Sequence, residues 1–214
     1  MKKKIILTQE TQLEKISTIS TSTLNNPSIT NNNFILSITA SPDGTRGAAG
    51  HADGSVTLFD LHTSSVITTF HAHQMGVRTI SFSSNGKELY TGSDDSRIGI
   101  FDITATLSSS LHSNKHHHQS ITPLITPLTG HHGFITKITA GPIDKENILF
   151  SSSADKTVKI WDTRKRSCIH TFEGHIGTVW GVDYSIANTH EGGYRLASVS
   201  EAGNLLVNKL QTII

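Results

Sequence analysis

Four stretches of this 214-residue chain can be written one beneath another. They are FILSITASPDGTRGAAGHADGSVTLFD from Phe34, GVRTISFSSNGKELYTGSDDSRIGIFD from Gly76, FITKITAGPIDKENILFSSSADKTVKIWD from Phe134 and TVWGVDYSIANTHEGGYRLASVSEAGNLLVNK from Thr178. Units that recur at this period cannot each bury an apolar face alone, so they stack on their neighbours. Each copy holds three short apolar runs divided by turn residues. In the third copy, Ile135 to Ala140, Ile148 to Ser152 and Thr157 to Trp161 are rich in β-branched and aromatic residues. Pro142 with Asp144, and then Asp155 with Lys156, separate them, which predicts strands joined by tight turns. A fourth run follows before the next copy, as Val66 to Phe70, Leu124 to Thr129 and Cys168 to Phe172. The spacing predicts an all-β chain of four-stranded antiparallel blades over 34–70, 76–129, 134–172 and 178–214.

The signature residues Gly130 with His131, Trp161 with Asp162, and Gly174 with His175 resemble those of the WD-repeat β-propeller family. That resemblance implies a structural tetrad of side chains in each blade. The third copy carries all four members: His131, Ser151, Asp155 and Trp161. A second copy is His73, Thr91 and Asp95, with Phe101 in place of tryptophan. Ser, His and Asp together also suggest a nucleophilic triad, but a catalytic site does not recur blade by blade, and no phosphate loop or nucleophile elbow occurs. The first copy keeps Asp53 and Phe59 but has Ala49 at the hydroxyl position and no histidine. The last keeps His175 and Ser198 but has Ala202 and Asn208, so these two blades are expected to be less well tied.

Residues between the signature positions carry a finer resemblance. FILSI with SPDG, SSSADKTVKIWDTRKRSCIHTFEGH running into VWGV, and SVSEAG are similar, over residues 34–209, to the WD-repeat subunits of the superkiller (Ski) complex. This implies a non-catalytic protein-interaction scaffold without a cofactor, serving exosome-mediated 3′ to 5′ mRNA decay. It also implies the polymerase-associated factor complex as a further partner, and both cytoplasm and nucleus as locations. Those subunits have seven blades, so the chain reads as an N-terminally incomplete seven-bladed propeller. The alternatives are a scaffold of another WD-repeat assembly and a direct RNA-binding WD-repeat protein.

Charge weighs against the RNA-binding alternative, because 18 basic and 17 acidic residues leave a net charge of +1 and no excess to grip a polyanion. The lone Cys168 excludes an internal disulfide and is read as a buried or idle thiol. Residues 1–33 offer one strand-like run, Lys4 to Gln9, whose apolar part is too short for a membrane span, and then a Ser/Thr/Asn-rich stretch read as flexible. Four blades are expected to form an open arc with Leu205 to Leu210 as an exposed edge, the alternative being that Lys4 to Gln9 pairs with that edge and closes it. A low-complexity insertion at 105–122 brings His112 and His116 to His118 together, but without a cysteine or carboxylate, so no metal site is expected.

In the first run of every copy, apolar residues three apart mark the core: Ile35 and Ile38, Val77 and Ile80, Ile135 and Ile138, Val179 and Val182. A spacing of three in a strand implies a bulge. The residues between and before them then point elsewhere, and in propellers of this family they lie near the central channel. Phe34, Leu36, Arg78, Phe134 and Trp180 are therefore the candidate partner-binding patch, since large aromatic and arginine side chains anchor interfaces. The competing reading packs them between blades. Tyr90, Lys159, Arg164 and Arg166 are read as ordinary surface or edge residues.

Overall fold

A computed structural model describes residues 34–104, 127–186 and 193–210. Blade 1 is formed by β1 (Ile35–Ala40), β2 (Arg46–His51), β3 (Ser55–Asp60) and β4 (Ser65–His71). Blade 2 has β5 (Val77–Phe82), β6 (Glu88–Ser93) and β7 (Ile98–Asp102), and blade 3 has β8 (Ile135–Ala140), β9 (Ile148–Ser153), β10 (Val158–Asp162) and β11 (Ser167–Phe172). Blade 4 contains β12 (Val179–Ile186), β13 (Tyr194–Ser200) and β14 (Leu205–Leu210). Every sheet runs in simple sequential order and pairs antiparallel, the expected meander. Of the fourth run of blade 2, Leu128 makes a single bridge to Ile98. The segment 1–33 with Lys4 to Gln9, and the insertion with its histidines, lie outside the described residues.

The turns show why aspartate recurs at fixed places. At the end of the third strand, Asp60 accepts the His62 and Thr63 N–H groups, and Asp162 accepts those of Arg164 and Lys165. Each is a side-chain turn that closes the exit from the strand. Between second and third strands, Asp53, Asp95 and Asp155 accept the N–H two residues on. The residue after each of these positions is left-handed in all four blades: Gly54, Ser96, Lys156 and Gly203, with φ of 86, 66, 72 and 78°.

Three apolar clusters fill the three spaces between neighbouring blades. Val77 and Ile80 press on Ala48, Val56 and Leu58 of blade 1, and Ile135 and Ile138 press on Tyr90, Ile98 and Ile100 of blade 2. Val179 and Val182 meet Phe150, Val158 and Ile160. The approach is close. A Cβ on Gly50 would stand 2.8 Å from Val77, and one on Gly92 2.6 Å from Ile135, so glycine lets the next blade seat.

Three sequence readings are corrected here. Ile35 and Ile38 are 52% and 71% exposed, because the side of β1 that they occupy faces away from blade 2. Tyr90 is no surface residue. It is fully buried in the blade 2–3 cluster, and its hydroxyl donates to Glu88 at 2.7 Å. Cys168 is exposed, which removes the buried one of its two readings.

Candidate functional site

The structure brings the tetrad residues of blade 3 together as a hydrogen-bonded chain. Asp155 uses one carboxylate oxygen to hold the Thr157 N–H of its turn and the other to accept His131 Nδ1–H at 2.7 Å. The Ser151 hydroxyl then donates to His131 Nε2 at 2.8 Å and accepts Trp161 Nε1–H at 2.8 Å. The carboxylate fixes this tautomer, since the nitrogen facing it must carry the proton. Burial raises the Asp155 pKa, but the bonds from His131, Thr157 and the His132 N–H outweigh it and hold the carboxyl well below its usual range. Burial lowers that of His131 despite its acid. Ser151 has no exposed surface and Trp161 almost none, so the hydroxyl has no open approach for a substrate. Connected like a triad, these groups hold strands together.

Blade 2 repeats the arrangement with His73 Nδ1–H donating to Asp95 at 2.9 Å and the Thr91 hydroxyl to His73 Nε2 at 2.7 Å. Phe101 offers no N–H, and its ring instead meets Phe70 of blade 1 at 4.9 Å. Blade 1 holds a bond that sequence reading missed: His51, in β2 itself, pairs Nε2 with the Thr57 hydroxyl at 3.0 Å. Its signal was a histidine two residues past the hydroxyl position, a place where the pattern expects none.

In blade 4, His175 keeps Ser198 at 2.8 Å, but Ala202 leaves its buried Nδ1 without a partner. Burial lowers its pKa below 6.5, so the fold favours the neutral ring. Its contribution to stability is present above pH 6.5 and is lost as the pH falls below that value, where the unfolded chain binds the extra proton. Ala202→Asp supplies the missing acceptor. The variant is expected to gain about 1 kcal/mol at neutral pH and to unfold less readily near pH 5.5 in urea titrations.

The second constellation lies at the end of the sheets that carries the turns between second and third strands. There the backbone N–H of Ala52, Asp94, Ala154 and Glu201 donates to the carbonyl of Phe34, Gly76, Phe134 and Thr178, at 2.8 to 3.0 Å. Just beyond, all four first strands break register, between Ile35 and Ser37, Val77 and Thr79, Ile135 and Lys137, Val179 and Gly181. The bulge implied by the spacing of three is thus present in every blade, and the residue it ejects is Leu36, Arg78, Thr136 or Trp180.

Arg78, Phe134 and Trp180 come together into one row across three blades. The Arg78 guanidinium lies 4.7 Å from the Phe134 ring centroid, and the Phe134 and Trp180 rings are 6.1 Å apart. Trp180 is 50% exposed and Phe134 half-buried, while Phe34 and Leu36 are exposed on blade 1. Thr136 turns inward, its hydroxyl donating to the Val179 carbonyl at 2.5 Å. Arg78, one of the candidate patch residues, is paired with the chain's own Asp94.

The repeated meander, the interblade clusters and the tetrads define a WD-repeat propeller arc. The model of the WD domain, G-beta repeat, matches residues 64–102, 121–162 and 166–207, more than half of the sequence, and the chain belongs to that family. Among curated proteins it is similar to the pre-rRNA-processing protein IPI3 of Mycosarcoma maydis, 34% identical over 63% of this chain and 24% of that protein. It is also similar to the pre-rRNA-processing protein crb3/ipi3 of Schizosaccharomyces pombe, 28% identical over 64% of this chain and 31% of the relative. WD repeat-containing protein 55 of Arabidopsis thaliana is 28% identical over 77% of this chain and 41% of its own length. The matched region therefore spans less than half of each of these relatives. None of the three is a superkiller subunit, and they support the WD-repeat family without supporting that finer resemblance.

Proposed function

We propose that the chain is a non-catalytic scaffold that gathers protein partners on the face of Arg78, Phe134 and Trp180, in an assembly that processes ribosomal RNA. One observation carries the scaffold reading. A row of one arginine and two aromatic rings, continuous across three blades, ends in the half-exposed indole of Trp180, and aromatic groups with arginine are the usual anchors of protein interfaces. The names of two relatives favour pre-rRNA processing. Such a role would place the chain in the nucleus. The superkiller and polymerase-associated factor complexes are the second reading, favoured by the ordered matches over residues 34–209. Affinity purification of the tagged chain from its own cells, with RNA and protein both analysed, decides between them. Ribosomal precursor RNA and its processing factors are expected. Recovery of superkiller or polymerase-associated subunits in their place selects the second reading, and recovery of naked RNA with a steep salt dependence contradicts the scaffold role.

A further inference from the structure

We infer that Trp180 and Glu201 form a receptor for a basic side chain, arginine above all, presented by the protein partner. This deepens the scaffold reading and rests on it. Position by position, Trp180 of blade 4 corresponds to Arg78 of blade 2, each ejected by the same bulge. Glu201 corresponds to Asp94, each tied by its N–H to the residue before the first strand, Thr178 or Gly76. In blade 2 the two positions are complementary within the chain: Arg78 pairs with Asp94 and lays its guanidinium on Phe134.

Blade 4 holds the acid without the cation. Glu201 is exposed, and Oε1 accepts the Thr178 N–H at 3.0 Å, which fixes the carboxylate beside the first strand. It belongs to none of the ion pairs among the described residues. In place of an arginine, the bulge presents a half-exposed indole whose ring lies 6.1 Å from that of Phe134. An indole face attracts a cation more strongly than any other side-chain ring, and a carboxylate beside it adds charge-assisted hydrogen bonding. A partner guanidinium seated there would extend the row Arg78, Phe134, Trp180 by one more cation and reproduce in trans the pairing that blade 2 makes in cis. The Glu201 carboxylate opposes a phosphate backbone, so the ligand is a basic peptide and not RNA.

The test uses the full chain, whose two tryptophans give separable indole N–H signals, because Trp161 is buried and hydrogen-bonded while Trp180 is exposed. The chain is titrated with acetyl-Ser-Gly-Arg-Gly-Ser-amide and with the same peptide carrying neutral citrulline. The arginine peptide is expected to move the Trp180 signal and leave Trp161 still, with citrulline moving neither. Glu201→Gln keeps the bond to Thr178, and is expected to weaken binding about two- to fivefold, the size of one exposed charged contact. Equal response to both peptides, no response, or indifference to Glu201→Gln overturns the inference. So does an oligouridylate that shifts Trp180 where the arginine peptide does not. If the peptide fails while Trp180→Ala still loses partners in affinity purification, the scaffold face stands and the basic ligand falls. If Trp180→Ala also keeps its partners, both fall.

Discussion

Trp161→Ala is expected to lower the stability of the chain by about 3 to 5 kcal/mol, the range for removing a large aromatic side chain from a core. The indole fills the space between blades 2 and 3 together with Tyr90, Ile100 and Leu128, and its removal leaves Ser151 without its donor. The equivalent residue of blade 4 is Asn208, since Trp161 pairs with Leu149 as Asn208 pairs with Leu196. Asn208 is only half-buried and fills no such space, so Asn208→Ala should change stability by about 0.5 kcal/mol or less. Urea denaturation of both variants checks this. Equal losses would mean that the blade 4 tetrad is not the weaker one.

Gly54→Ala should be as damaging, for a different reason. Its backbone is left-handed, and an added Cβ would run into the His73 carbonyl, at the base of the tetrad of blade 2. The left-handed penalty and the forced backbone shift together cost about 3 to 5 kcal/mol. Gly203 supplies the internal control. It occupies the same turn position with nearly the same φ, yet an added Cβ meets nothing within 4 Å. Gly203→Ala should therefore lose about 1 kcal/mol, the conformational part alone. Ser96 and Lys156 already take the same conformation without glycine. A similar melting point for both alanine variants would contradict this separation of clash from strain.

Much of this arrangement was readable before any coordinates, because period and turn chemistry are local properties. The four copies placed the strands, and the spacing of three in Val77 and Ile80, or Val179 and Val182, placed the bulges that eject Arg78 and Trp180. Facts that depend on neighbouring blades were not legible. Nothing local distinguishes Ile38 from Ile80, yet one is exposed and the other faces a packed blade. Tyr90 looked like an edge residue since its polar hydroxyl finds Glu88 only once β6 is formed. The Arg78 and Asp94 pair joins residues 16 apart across a turn, and no periodicity announces it.

Partners are expected to seat on the end of the sheets where Phe134 and Trp180 stand. A photo-crosslinking amino acid placed at position 180 reads it directly, with a second variant at Ile143 as the reference. Ile143 is highly exposed but lies between β8 and β9, at the opposite end of the sheets. Irradiation in cells is expected to join the same partner proteins to the chain from position 180 and none of them from position 143. Crosslinks from position 143 with none from position 180 would contradict the account.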